Sequence, residues 1–315
     1  MSYNADLERG NHLLDIGRPA EAEAHIRKAL AAEPENFSAH MMLALVFFKT
    51  NRADHAVKIA EMAIPLDPIS DWPHRLLSYA HAECRRPNRK ASLTHAQRAV
   101  ELEPDVAGNH MALSEAHRLF GRKGRNAAVT AAQRGVELDP EDSDGFVTLG
   151  NACLSADRKY EAERNYRLAL EIDSESAIAR SNLAMILRES GRAEQALPLL
   201  RSNVMDAPSD STNMDALLET ADAHLKAGPV TKAMNTMFRW SLLRFPLVIA
   251  LILFPFAKLE QRRRIATLAP DVQAARASQK GKDKAAGFDW RLILVILALV
   301  WLVVFVAGLL ARLFG

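Results

Sequence analysis

An acidic residue followed by proline recurs along this chain at near-constant intervals: Glu33-Pro34, Asp67-Pro68, Glu103-Pro104 and Asp139-Pro140, with Asp173-Ser174 and Ala207-Pro208 as worn members of the series. The steps are 34, 36, 36, 34 and 34 residues. A fixed period of this size marks one supersecondary unit copied in tandem, because a unit so short cannot bury its apolar face alone and must stack on its neighbours. Proline cannot continue the interior of a helix. Each acid-proline pair therefore ends one unit and frees the chain to begin the next.

Residues 143–176 carry the clearest copy. Phe146, Leu149, Gly150 and Cys153 line one face of a first helix, and Ala162, Tyr166 and Ala169 line one face of a second, both at helical spacing. The small residues let two backbones approach and the aromatic ones fill the space beside them. This order resembles the tetratricopeptide repeat, whose pattern runs W-x2-L-G-x2-Y, then A-x3-F, then P. Looser copies keep Gly10, Leu13, Gly17, Ala22, Ala29 and Pro34; Leu43, Ala44, Phe47, Ala56, Ala63 and Pro68; and Leu183, Ala184, Leu187, Gly191, Ala196, Leu200 and Pro208. The expected repeats are 3–36, 37–70, 71–106, 107–142, 143–176 and 177–210. The two longer ones take their extra residues within "RRPNRK" and "GRKGRN", where a surface turn accepts insertion at little cost.

The resemblance implies an all-α, right-handed superhelix of antiparallel helix pairs over residues 1–210, with the first helix of each pair lining a concave groove that binds a protein or peptide. Projecting the inward positions of the motif gives Leu7, Asn11 and Leu14, then Met41, Leu45 and Phe48, then Trp72, Arg75 and Tyr79. Met111, Glu115 and Arg118 follow, then Val147, Asn151 and Leu154, then Ser181, Asn182, Met185 and Arg188. The partner-binding candidates among these are Met41, Leu45, Phe48, Trp72, Arg75, Tyr79, Met111, Arg118, Asn151, Asn182 and Arg188. Exposed methionine and aromatic side chains suit the apolar face of a ligand; the competing role is packing against the next repeat. Some family members grip a partner's terminal carboxylate with a Lys-Asn-Asn-Lys-Arg set. Here Leu7 and Val147 stand where the first lysine belongs, which argues against that mode.

Histidines raise a metal-binding or enzyme-accessory alternative. His74 and His81, and His110 and His117, occupy matching positions in two repeats, and His40 shares the earlier one. Their spacing lacks the tight His/Cys pattern of closed zinc sites. Neither G-x-x-x-x-G-K-[ST], G-x-S-x-G, H-E-x-x-H nor C-x-x-C occurs, so no enzyme, cofactor, metal or small-molecule substrate is expected. Cys84 and Cys153 are the only cysteines and lie too far apart in sequence to read as a disulfide framework.

The composition changes after the repeats. From residue 238 onward 12 Lys or Arg face 4 Asp or Glu, a net +8, while the preceding residues carry −6. An acidic array lacks the positive footprint that nucleic acid requires. Residues 211–244 read as a degenerate capping helical pair, with Met214, Leu217, Leu218 and Ala221 on one face and Gly228-Pro229 as a stop and restart. Residues 245–257, "FPLVIALILFPFA", are apolar but short, fitting an interfacial, re-entrant or short spanning segment. Residues 258–291 hold nine Lys or Arg against four acids and read as a basic flexible linker. Residues 292–310 are uncharged throughout, and at 1.5 Å per residue they span roughly 28 Å, about a bilayer core. With no signal peptide expected at "MSYNADLERGNHLLD", the chain reads as a scaffold in a bacterial inner membrane, its repeats cytoplasmic, with a subunit role in a larger membrane assembly as another alternative.

Overall fold

A computed structural model describes residues 3–207, 210–226 and 246–286. The described residues are all-α, and the chain divides into two compact units, residues 1–179 and 180–315. In the first, α1 (Tyr3–Asp15) pairs with α2 (Pro19–Ala32), α3 (Phe37–Lys49) with α4 (Ala53–Ala63), and α5 (Trp72–Glu83) with α6 (Arg89–Leu102). Then α7 (Ala107–Arg118) pairs with α8 (Arg125–Leu138), and α9 (Ser143–Ser155) with α10 (Lys159–Ile172). First helices also touch first helices, α3 to α5, α5 to α7 and α7 to α9, which forms a continuous face.

Each hairpin closes on a short turn whose chemistry is legible in the sequence. Gly17, Asn51 and Asp157 occupy equivalent places with φ of 72°, 58° and 64°. The next amide reaches back to the last turn of the first helix: Arg18 to Leu13 O at 2.7 Å, Arg52 to Phe47 O at 2.8 Å, Arg158 to Cys153 O at 2.9 Å. This is the Schellman arrangement, in which a left-handed residue lets the chain satisfy otherwise orphaned carbonyls. The 36-residue copies depart from it. Between α5 and α6 the turn is lengthened, and between α7 and α8 a 3-10 turn, Gly121–Lys123, is inserted. Asn36 caps α3 at the Ala39 amide, 2.8 Å, and Asn88 caps α6 at the Ala91 amide, 3.1 Å, whereas Asp71 at the start of α5 accepts from Arg75 and makes no cap bond.

Inside each hairpin one small position on the first helix faces one position on the second, and their volumes compensate. Glycine meets a large side chain: a Cβ on Gly10 would stand 2.6 Å from Ile26, and one on Gly150 would stand 2.5 Å from the Tyr166 ring. Where the first helix carries Ala44 or Ser78, the second carries Ala60 or Ala96. Tyr166 and Ile26 are fully buried, as are Ala22, Ala56, Ala128 and Ala162, the recurring alanines of the second helices. In the third repeat that alanine is Ser92, whose hydroxyl lies 3.4 Å from Ser78 in the interior. Serine thus replaces a contact between small residues with a hydrogen-bonded one.

The second unit contains most of α11 (Ala177–Glu189), then α12 (Ala193–Asp206), α13 (Ser211–Lys226), α14 (Pro246–Ala266) and α15 (Pro270–Ala286). Buried Arg180 on α11 reaches the Ser202 hydroxyl and, at 2.6 Å, Asp206 on α12. The reading of 258–291 as a flexible linker is corrected here: residues 258–266 continue α14, and 270–286 form α15. The reason is docking. Leu268 and Val272 are buried, Arg276 pairs with Asp222 of α13 at 2.6 Å, and Arg264 donates to the His224 carbonyl at 3.0 Å. Of the expected capping pair, α13 is the first helix, while its partner segment lies outside the described residues. So does the apolar run 292–310. Among the described residues no helix is long and apolar enough to cross a membrane.

Candidate partner-binding surface

The first helices of the first unit carry the candidate residues, and the structure sorts them by register. Met41, Arg75, Met111 and Val147 share one position, and in the first three that position meets the next repeat. Met41 is fully buried among Ala44, Ala60, Ala63, Leu76 and Leu77. Met111 is 5% exposed, and its terminal methyl is wedged so closely that a Cβ on Gly135 or Gly145 would come within 2.6 Å of it. Assigning Met41 and Met111 to a groove is therefore corrected: they are junction side chains, buried because one repeat stacks on the next. Arg75 performs the same office with hydrogen bonds. Its Nη1 donates to Asp71 at 3.0 Å and across the junction to Asn109 at 3.2 Å, and buried Asn109 donates to the carbonyls of Ala99 and Glu103.

Leu45, Phe48, Trp72 and Tyr79 remain half-buried on the face. Phe48 and Tyr79 approach to 6.4 Å between ring centroids, and Trp72 meets the edge of Phe37 at 6.2 Å. Leu45, Phe48 and Trp72 pack on the apolar cluster that contains Met41. Burial, with Glu115 nearby, holds the Tyr79 phenol protonated far above its ordinary range. Toward α7 the surface turns polar: Arg118 pairs with Glu115, and its Nε is buried without a hydrogen-bond partner. Asn151 is set from behind by the Tyr166 hydroxyl, which donates to its Oδ1 at 2.7 Å. Aromatic carbon thus gives way along the face to a guanidinium and an amide. Asn182 and Arg188 belong to the second unit, where Arg188 pairs with Glu219 at 2.7 Å.

The histidines are redistributed. His40 and His110 donate to backbone carbonyls, of Asn36 at 2.9 Å and Pro104 at 2.7 Å, which ties them to helix starts. His74 and His81 instead meet His95 of α6, a residue that the first-helix spacing does not mark. His74 and His95 place Nδ1 on Nδ1 at 3.0 Å, and His81 stacks on His95 at 5.5 Å between centroids. Such a pair needs one proton between two nitrogens. Burial and the neighbouring imidazoles depress His95 to about 4, and burial lowers His74 and His81 as well. Among the described residues no group of three or more His, Cys, Asp or Glu is arranged to hold a metal ion. Burial, with a hydrogen bond to Asp54, pushes the Cys84 thiol up to about 11, so it is no thiolate at neutral pH. A cavity of about 240 Å³ on α10, lined by Tyr160, Arg164, Arg167, Leu168 and Glu171, shares no residue with this face.

Residues 7–70, the first two repeats, match the family model described as tetratricopeptide repeat. A solved thermophilic TPR protein of Thermus thermophilus is similar over 59% of this chain and 99% of its own, at 22% identity and a TM-score of 0.55. The fold is that of a tetratricopeptide-repeat array. The array is also similar to a chain of the APC/C Cut9-Hcn1 hetero-tetramer, at 16% identity and a TM-score of 0.60, over 70% of this chain and 43% of that one. Pseudomonas aeruginosa pilF is similar over 69% of this chain and 97% of its own, at 16% identity and a TM-score of 0.50. No curated protein sequence matches.

Proposed function

We propose that this protein is a non-enzymatic scaffold that takes an extended protein segment across the first helices of its N-terminal unit and is held at a membrane through residues 292–310. The observation that carries the binding reading is the half-buried apolar strip of Leu45, Phe48, Trp72 and Tyr79, followed by the polar stretch at Arg118 and Asn151. The apolar strip supplies the contact area, and the polar groups beyond it fix the register of an extended backbone. A neighbour of the same fold works within a hetero-tetramer, in keeping with an assembly role. The membrane half of the proposal is supported by the uncharged run at 292–310.

The test places a photo-crosslinking amino acid at residue 79 of the full chain in its native membrane. One or a few proteins are expected to be captured, and Phe48→Ala is expected to abolish capture while shifting the melting temperature of the array by only a few degrees. A Phe48→Ala protein that loses thermal stability in step with capture makes Phe48 a core residue and overturns the assignment.

A further inference from the structure

We propose that α14 presents a lipid-facing stripe, apolar toward its start and cationic toward its end, which lies on an anionic bilayer surface. The inference rests on the membrane-held reading for its setting but on different residues. One side of α14 is already committed to the second unit, since Arg264 donates to the His224 carbonyl at 3.0 Å and Thr267, just past the helix, lies 3.3 Å from His224 Nε2. At 3.6 residues per turn, Phe256, Leu259, Arg262 and Arg263 fall within an arc of about 120° that leaves Arg264 outside. All four are exposed, Phe256 by 59% and Leu259 by 50%. The docked side fixes the helix, and the stripe faces away.

The occupant is argued from length, charge and continuation. The same helix begins with the sequence "PLVIALILFPFA", residues 246–257, twelve residues or roughly 18 Å, well short of the roughly 30 Å of a hydrocarbon core. A helix whose apolar start is too short to cross, and whose aromatic and aliphatic residues give way along its axis to arginines, suits an oblique seat, its start below the headgroups and its cations among the phosphates. Among the described residues neither the Arg262 nor the Arg263 side chain has an ion pair or hydrogen bond, so both guanidinium groups are available to phosphate oxygens. Five residues separate the end of α15 from the uncharged run 292–310, so α14 lies toward the same end of the chain as that run. An apolar protein partner would fit Phe256 and Leu259 but gives no reason for the adjoining cations.

The test uses the full chain with Cys84 and Cys153 replaced by serine and Leu259→Cys carrying an environment-sensitive fluorophore. It is reconstituted by detergent removal with vesicles of phosphatidylcholine alone or with phosphatidylglycerol added, then floated on a density gradient. The chain is expected to float with both, with a blue-shifted emission in phosphatidylglycerol vesicles that Arg262→Glu with Arg263→Glu abolishes without loss of flotation. Flotation with an unshifted emission, or a shift equal in both vesicles and unmoved by charge reversal, overturns the stripe while leaving the anchor intact. Flotation with phosphatidylglycerol alone supports the stripe and removes the anchor at 292–310. Flotation with neither overturns both.

Discussion

Three imidazoles on one hairpin titrate against their surroundings. His74, His81 and His95 all have pKa values lowered on folding, His95 to about 4, chiefly because burial penalises the charged ring. The unfolded chain, with ordinary values near about 6.5, binds protons first as pH falls. The contribution to stability is therefore complete above about pH 6.5 and is lost progressively toward about 4. We expect the urea midpoint of the array to fall between pH 7.5 and 5, and His95→Gln to flatten that slope; a slope unchanged by the substitution would place its origin elsewhere. How much of this was legible differs from residue to residue. The seven-residue spacing of His74 and His81 is plain in the sequence, but their meeting with His95 depends on which face of α6 turns toward α5. Met41 and Met111 were legible as inward positions. That their position is a wedge between repeats is set by the stacking of first helices, which a single repeat does not encode.

At the scale of elements, hairpins are specified by paired volumes. Gly150→Ala is expected to destabilise the fifth repeat by about 1–3 kcal/mol, because its methyl group meets the Tyr166 ring and not a flexible chain end. Adding Tyr166→Leu recreates the Ala184 and Leu200 combination of the next repeat and should recover part of the loss, read as a non-additive double-mutant cycle. The hairpins themselves were readable from small residues at fixed offsets, whereas the standing of Asn51 and Asp157 at the left-handed position of Gly17 shows only in the backbone. The tail was not. Residues 270–286 are polar and charged, the composition of a linker, yet they open on Pro270 and Asp271 and continue in good helix formers. What holds them is tertiary: Leu268, Val272 and the Arg276–Asp222 pair at 2.6 Å on α13. Truncation after residue 266 should therefore speed amide exchange in α13, where Leu217, Ala221 and Leu225 are now buried, and leave α3 to α8 unchanged. Unaltered exchange in α13 would mean that α15 contributes nothing to its stability.

In the proposed membrane-held arrangement, the whole molecule divides its charges between the two sides of the bilayer in a definite way. A single span at 292–310 keeps the nine Lys or Arg of 258–291 with the repeats, in line with the positive-inside tendency, whereas a second span at 245–257 would carry them across. Ser278 is exposed on α15 and reports the difference. With Ser278→Cys in a chain lacking Cys84 and Cys153, an impermeant maleimide applied to intact, outer-membrane-permeabilised cells is expected to leave the protein unlabelled. Labelling would put α15 outside and require two spans. The Arg75 bond to Asn109 has a mechanical consequence within the N-terminal unit. Its stacked hairpins are links in series, each gripping its neighbours, so tension along the stack acts on every junction in turn. At the junction of the third and fourth repeats that tension loads a guanidinium-to-amide bond rooted in two backbone carbonyls as well as the apolar surfaces beside it.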